Sequence, residues 1–231
     1  MADLDFYKKD MEIMQGKLLK KIEKVLGGLI VLDEQSILLA FNQINFLDEL
    51  TALGFPALLK KVKNAYNNQV IMSFDALKST QRTKQTITAV KAIELLSTLD
   101  LTTISNNVSK FANELKTAMF RGILTGANSS SIMQGLTDTY GIGKGLTSSQ
   151  QIALLNDSFA RFQRSSTLKL FENDPNQLFR YSGPNDDVTR PACSDTLSIQ
   201  GKGFTVEEMN GLEVGGADGG GFNCRHEWLP V

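Results

Sequence analysis

The stretch Asp174-Pro175-Asn176-Gln177-Leu178-Phe179-Arg180-Tyr181-Ser182-Gly183-Pro184-Asn185 decides the fold class. Proline has no amide donor and biases the residue before it toward extended backbone, so Asp174-Pro175 stops the helical pattern that leads into it. Leu178 to Tyr181 is a run of bulky, β-favouring side chains and reads as a short strand. Gly183-Pro184-Asn185-Asp186 then has the composition of a turn. The chain therefore changes character near residue 175. Helical periodicity dominates before it, and Gly, Pro, Asn and Asp punctuate short stretches after it. The expected fold class is α+β: a mostly α-helical N-terminal region over residues 1–145, suited to docking on a partner, and a small α+β C-terminal domain over 146–231.

Working back toward the N-terminus, Ile152, Leu155, Phe159, Phe162 and Leu168 give one apolar face to a helix reaching about Glu172. Thr147 and Gln150 have the spacing of a capping box that would open it. Gly141-Ile142-Gly143-Lys144-Gly145 lacks the spacing of a phosphate-binding loop and follows no strand, so it reads as a hinge between helices. Helices are expected near Ser130–Tyr140, Leu101–Leu124 and Asp75–Leu99, the last with a Thr-rich middle from Ser79 to Thr88. Another is expected from about Gln35 to Leu53, ended by Gly54-Phe55-Pro56, and a further one carries Leu58, Leu59, Val62 and Tyr66. At the N-terminus Leu4, Tyr7, Met11, Met14, Leu18, Ile22 and Val25 draw one stripe along a helix of about six turns. Lys8, Lys9, Lys17, Lys20, Lys21 and Lys24 lie opposite, and Gly27-Gly28 ends it. Such a stripe suits packing within a bundle or docking on a partner subunit.

Composition narrows the function classes. The 231 residues are 42% hydrophobic and 21% charged, with a net charge of -1. That balance lacks the basic surplus of a protein built to coat nucleic acid, so a DNA contact would need a local patch. The polar start around Tyr7-Lys8-Lys9-Asp10 does not resemble a secretory signal. The longest apolar run, Val25 to Leu32, contains two glycines and falls short of the roughly 20 residues that span a bilayer. A soluble protein, made and used in the cytoplasm with no membrane partner, is expected.

Cys193, Cys224 and His226 all fall in the last segment, and two of them sit in one tetrapeptide. On an extended strand residues two apart face the same way, so Cys224 and His226 suit two ligands of one ion. The chain between them and Cys193 has room to return, and Asp186 would complete a tetrahedral set, since zinc accepts sulfur, nitrogen and carboxylate oxygen. A structural zinc ion on Asp186, Cys193, Cys224 and His226 is one reading. A second is a buried cluster in which Asp186 pairs with Arg190 and the thiols pack as small apolar groups. A disulfide is a third, disfavoured in a reducing cytoplasm. A Cys-His peptidase dyad would also need an orienting group and an oxyanion site, for which Gly219 to Gly221 is the available backbone. Arg190 and Arg225 are suited to gripping carboxylates or backbone carbonyls, and Trp228 to plugging the core. Thr205 and Glu208 form a further capping-box pair.

The order Asp186, Thr189, Arg190, Cys193, Gly201, Asn223, Cys224, Arg225, His226, Pro230 resembles the C-terminal domain of tailed-phage minor head proteins of the Mu F-like head-morphogenesis family. The resemblance covers roughly residues 150 to 231. It departs from the family pattern in a glycine loop where a proline pair is usual, and in Arg164-Ser165-Ser166 where the helix usually carries Arg-Thr-Glu. The resemblance implies a virion protein of the head or portal vertex rather than an enzyme. It would be assembled in the host cytoplasm by binding the phage portal protein and capsid or scaffold subunits, with packaged DNA as a further contact. The family's habit of placing His or Cys at the positions of Cys193 and His226 strengthens the zinc reading. The alternatives are a connector or neck protein in many ordered copies, and a Cys-His peptidase or toxin-like enzyme.

Overall fold

A computed structural model describes residues 5–27, 45–75, 84–172, 174–222 and 224–231. In chain order the elements are α1 (Asp5–Gly27), α2 (Phe46–Ala52), α3 (Phe55–Asp75), α4 (Lys84–Leu124), α5 (Ser129–Tyr140), a 3-10 turn (Gly145–Thr147), α6 (Ser149–Phe171), β1 (Phe179–Ser182), α7 (Pro191–Ile199), α8 (Val206–Asn210) and β2 (Glu227–Pro230). The fold is mostly helical with one two-stranded antiparallel sheet, the α+β class expected. No helix among the described residues is long and apolar enough to cross a membrane.

The chain forms two compact units. One contains residues 63–100 and 153–231, the other residues through 62 together with 101–152. The described residues of 63–75 and 84–100 thus group with the C-terminal segment rather than with the rest of 1–145. Tyr66 is the reason on the side of α3: its ring meets Phe159 and Phe162 of α6 edge-on, at 4.9 and 4.6 Å. Its hydroxyl donates to Asp100 of α4 at 3.0 Å, and Gln163 bridges to Gln69 at 3.0 Å.

In the other unit α1 packs on α2, α5 and the 3-10 turn. Tyr7, Met11, Met14, Leu18 and Ile22 are buried as their spacing requires, and the lysines opposite are exposed. Leu26 rather than Val25 completes the stripe, and Leu4 and Gly28 lie outside the described residues. The glycine-rich run after α5 is held by Gln15, whose Nε2 donates to the carbonyls of Tyr140, Gly141 and Lys144 at 2.5, 2.7 and 3.0 Å. Carbonyls at a helix end have no intrahelical partner, so a buried glutamine amide serves as their cap. Gln15→Ala is expected to lower this unit's stability by about 1–2 kcal/mol, read as a shifted urea midpoint of the helical circular dichroism signal.

Several boundaries move. The segments expected at 75–99 and 101–124 are one helix across Asp100, and Ala76, Leu77 and residues 79–83 lie outside the described residues. Of the helix expected over 35–53 the structure describes α2, opened by Asn45, whose side chain accepts from Leu47 and Asp48; 35–44 lie outside. The Thr147–Gln150 capping box does not form. Thr147 is spent on the preceding loop, accepting from the Gly143 amide, and Ser148 accepts from the Gln151 amide instead. The Thr205–Glu208 capping box is present. The helix α7 was not expected; Pro191 opens it as its first residue, where a missing amide does no harm.

Candidate metal centre

Strand β1 supplies the floor of the site. It pairs with β2 in the register Phe179 to Pro230, Tyr181 to Trp228 and Ser182 to Glu227, and Phe179 is bridged on the other side to Phe204 by two bonds of 2.8 Å. Alternation buries Phe179 and Tyr181 and exposes Arg180. The same alternation governs the approach to β2. Cys224 and His226 point inward, and Trp228 follows them into the core. The first turn of α7 turns Cys193 toward them.

These elements bring three of the expected site residues together. Cys193 Sγ, Cys224 Sγ and a ring nitrogen of His226 all lie within 4.8 Å of one another, in an arrangement that could hold a metal ion. The two sulfurs are 3.9 Å apart, far beyond an S–S bond of about 2.05 Å, and both cysteines are free. Cys224 Sγ is 3.8 Å from His226 Nδ1. Two sulfurs bound to one zinc at about 2.3 Å in tetrahedral geometry sit about 3.8 Å apart, and a sulfur and a nitrogen about 3.6 Å. The separations of the two sulfurs and of Cys224 Sγ from His226 Nδ1 match those edges.

The imidazole is oriented for this task. His226 Nε2 lies 2.8 Å from the Pro184 carbonyl. A carbonyl only accepts, so Nε2 carries the proton and Nδ1 presents its lone pair to the thiols. Burial holds the His226 pKa below its ordinary value, against the Pro184 bond, which favours a neutral ligand. Its ring stacks on Tyr181 at 4.9 Å and 10°. Burial raises the Cys193 thiol. Burial acts on Cys224 the same way, but the Tyr181 hydroxyl, backbone hydrogen bonds from His226 and Gly220, and the Arg164 charge together hold it below an ordinary thiol.

Asp186, expected as the fourth ligand, stands elsewhere. Its exposed carboxylate takes both arms of Arg225, at 2.9 and 2.5 Å, and Thr189 Oγ1 at 3.0 Å. Arg225 lies between two inward residues and therefore points out, and Asp186 on the outer turn follows it. Arg225 holds the Asp186 carboxyl well below the usual carboxylate range. The expected Asp186–Arg190 pair is also absent, since Arg190 Nη2 donates to the Phe222 carbonyl at 2.6 Å.

Tyr181 and Arg164, which sequence reasoning did not place at the site, prove central to it, and so does Gly220 of the loop considered there as oxyanion backbone. Tyr181 Oη is 3.4 Å from each sulfur. Arg164 of α6 is fully buried and donates to the carbonyls of both Cys224 and His226. Gly220 packs its backbone on the sulfurs so closely that an added Cβ would stand only 2.3 Å from Cys193 Sγ. For Arg164 a signal existed: it is a charged residue on the buried stripe of α6, between Ala160 and Thr167. Compared with family models, curated proteins and solved structures, the chain matches none.

Proposed function

We propose that this chain is a minor head protein of a tailed phage that acts by binding portal and capsid or scaffold subunits, with a structural zinc ion on Cys193, Cys224 and His226 clamping its C-terminal module. What supports the reading is one observation: the widely spaced residues of the Asp-Thr-Arg-Cys and Cys-Arg-His motifs converge on a single unit. The inward members form the buried donor set, and the outward members Asp186, Thr189 and Arg225 tie its rim. Residues that serve one another in this way make a folding module, and their spacing is the one the head-morphogenesis family resemblance rests on. Zinc at such a site supplies folding free energy rather than reactivity.

Burial argues against the Cys-His peptidase reading. Cys193, Cys224 and His226 are 1%, 4% and 3% exposed, which leaves no approach for a peptide carbonyl to the Cys224 sulfur. The virion assignment is tested by mass spectrometry of purified procapsids and finished particles from the strain that carries the gene, together with co-purification of the portal protein. The chain is expected in the particles at low copy and on the portal. Its absence from particles that contain portal protein would sink the proposal, and ordered density repeating around the portal axis would favour a neck protein instead. The zinc assignment is tested by elemental analysis. About one zinc per chain is expected, lost in Cys224→Ser/His226→Ala and retained in Asp186→Asn, whose carboxylate serves Arg225. Zinc lost in Asp186→Asn would restore the carboxylate as a ligand, and a metal-free wild type purified without chelator would reject the clamp.

A further inference from the structure

We infer that the phenol of Tyr181 is the fourth donor of the metal site, which closes it; this rests on the zinc reading above. A structural zinc site is four-coordinate and filled by protein atoms. Three donors are in place, Asp186 is committed to Arg225, and among the described residues no other His, Cys, Asp or Glu joins the group. Tyr181 Oη is equidistant from Cys193 Sγ and Cys224 Sγ at 3.4 Å. An oxygen at about 2.0 Å and a sulfur at about 2.3 Å from one tetrahedral ion lie about 3.5 Å apart. The separations of the oxygen from both sulfurs, of the sulfurs from each other and of Cys224 from His226 thus match four of the six edges of a coordination tetrahedron.

The phenol is also fixed there. Tyr181 is 1% exposed. Its ring stacks on the His226 ring and meets the Trp228 indole, whose centroid is 4.6 Å away, and its backbone is paired with Trp228 in the sheet. Its amide is held by Gln200 Oε1 at 2.9 Å. The hydroxyl's hydrogen-bond partners among the described residues are the two sulfurs. A buried hydroxyl usually reaches a carbonyl or a carboxylate; one aimed between two thiols is placed for what the thiols hold. With four protein donors the ion has no exchangeable position, so it clamps the fold and cannot present an activated water.

The test uses the full chain, the Tyr181→Phe variant and Co2+, whose visible absorption reports coordination. The wild type is expected to give the spectrum of a four-coordinate cobalt site that added azide does not change. Tyr181→Phe is expected to bind Co2+ at least about tenfold more weakly, with a shifted spectrum that does respond to azide because water fills the vacated position. Wild-type affinity and spectrum in Tyr181→Phe would overturn the inference, as would an azide-responsive wild type, which shows a water in the fourth position. The azide arm decides even if the variant does not fold. A wild type that binds no Co2+ overturns the zinc reading itself, and this inference with it.

Discussion

Arg164→Ala is expected to lower the stability of the C-terminal unit by about 3–5 kcal/mol, because it removes several hydrogen bonds from one charged donor at once and leaves buried carbonyls unpaired. Arg164 has no exposed surface. Its Nε donates to Ala217 at 2.6 Å, Nη1 to His226 at 3.0 Å and to Cys224 at 3.4 Å, and Nη2 to Asp218 at 3.4 Å, all backbone carbonyls. These carbonyls belong to the glycine-rich loop and to the run before β2, neither of which sits in a sheet ladder, so the guanidinium does for them what a neighbouring strand would do. In return four oriented carbonyl dipoles solvate the guanidinium charge. Alanine removes the donors, leaves the buried carbonyls of Cys224 and His226 unpaired and opens a void. Arg164→Met keeps most of the volume and isolates the polar part of the loss. Arg164→Lys keeps the charge but not the fork and is expected to fall between the two. The lone tryptophan, Trp228, is buried in this unit, so its fluorescence during urea unfolding reports the right transition. An Arg164→Ala midpoint equivalent to less than about 1 kcal/mol of loss would mean that the loop finds other partners.

The same residue shows where sequence reading stops. Helix positions follow from local rules, and the stripe of α1, the proline stop after α6 and the Thr205–Glu208 cap all lie where spacing puts them. The inward pair Cys224 and His226 is legible for the same reason, since a period of two is local. What a side chain meets across the fold is not local. Asp186 had Arg190 four residues away and Arg225 far along the chain, and the structure gives it Arg225 because the strand alternation turns that residue outward. Tyr181 reads as one more β-favouring aromatic, and only the fold brings one sulfur to its hydroxyl from the run before β2 and the other from α7. The Thr147 cap failed because the glycine loop before it, which has few side chains of its own, took the hydroxyl first. The grouping of residues 63–100 with 153–231 depends on Tyr66 finding two phenylalanines some ninety residues later, which no window of sequence displays.

Gly220→Ala is expected to destabilise the C-terminal unit by about 3 kcal/mol, the upper end of ordinary overpacking, and to lower its zinc content. A Cβ at this position would stand 2.3 Å from Cys193 Sγ, 3.4 Å from Cys224 Sγ and 3.8 Å from Val214. The backbone cannot withdraw freely, because Gly221 donates to Asp218 at 3.0 Å and Cys224 to Gly221 at 3.1 Å on either side of it. The methyl must then part the sulfurs from the 3.9 Å separation that suits a shared ion. That displacement predicts a specific signature: the loss is larger for zinc-loaded protein than for protein stripped with chelator, since only the loaded form requires the sulfurs at that spacing. Gly216→Ala is the control. Its φ of +73° disfavours any side chain, yet a Cβ there meets nothing within 4 Å, so it carries loop strain of about 1 kcal/mol without touching the site. Equal losses with and without zinc in Gly220→Ala, or a zinc content matching Gly216→Ala, would place the glycine's importance in the turn rather than in the room it leaves for the two thiols.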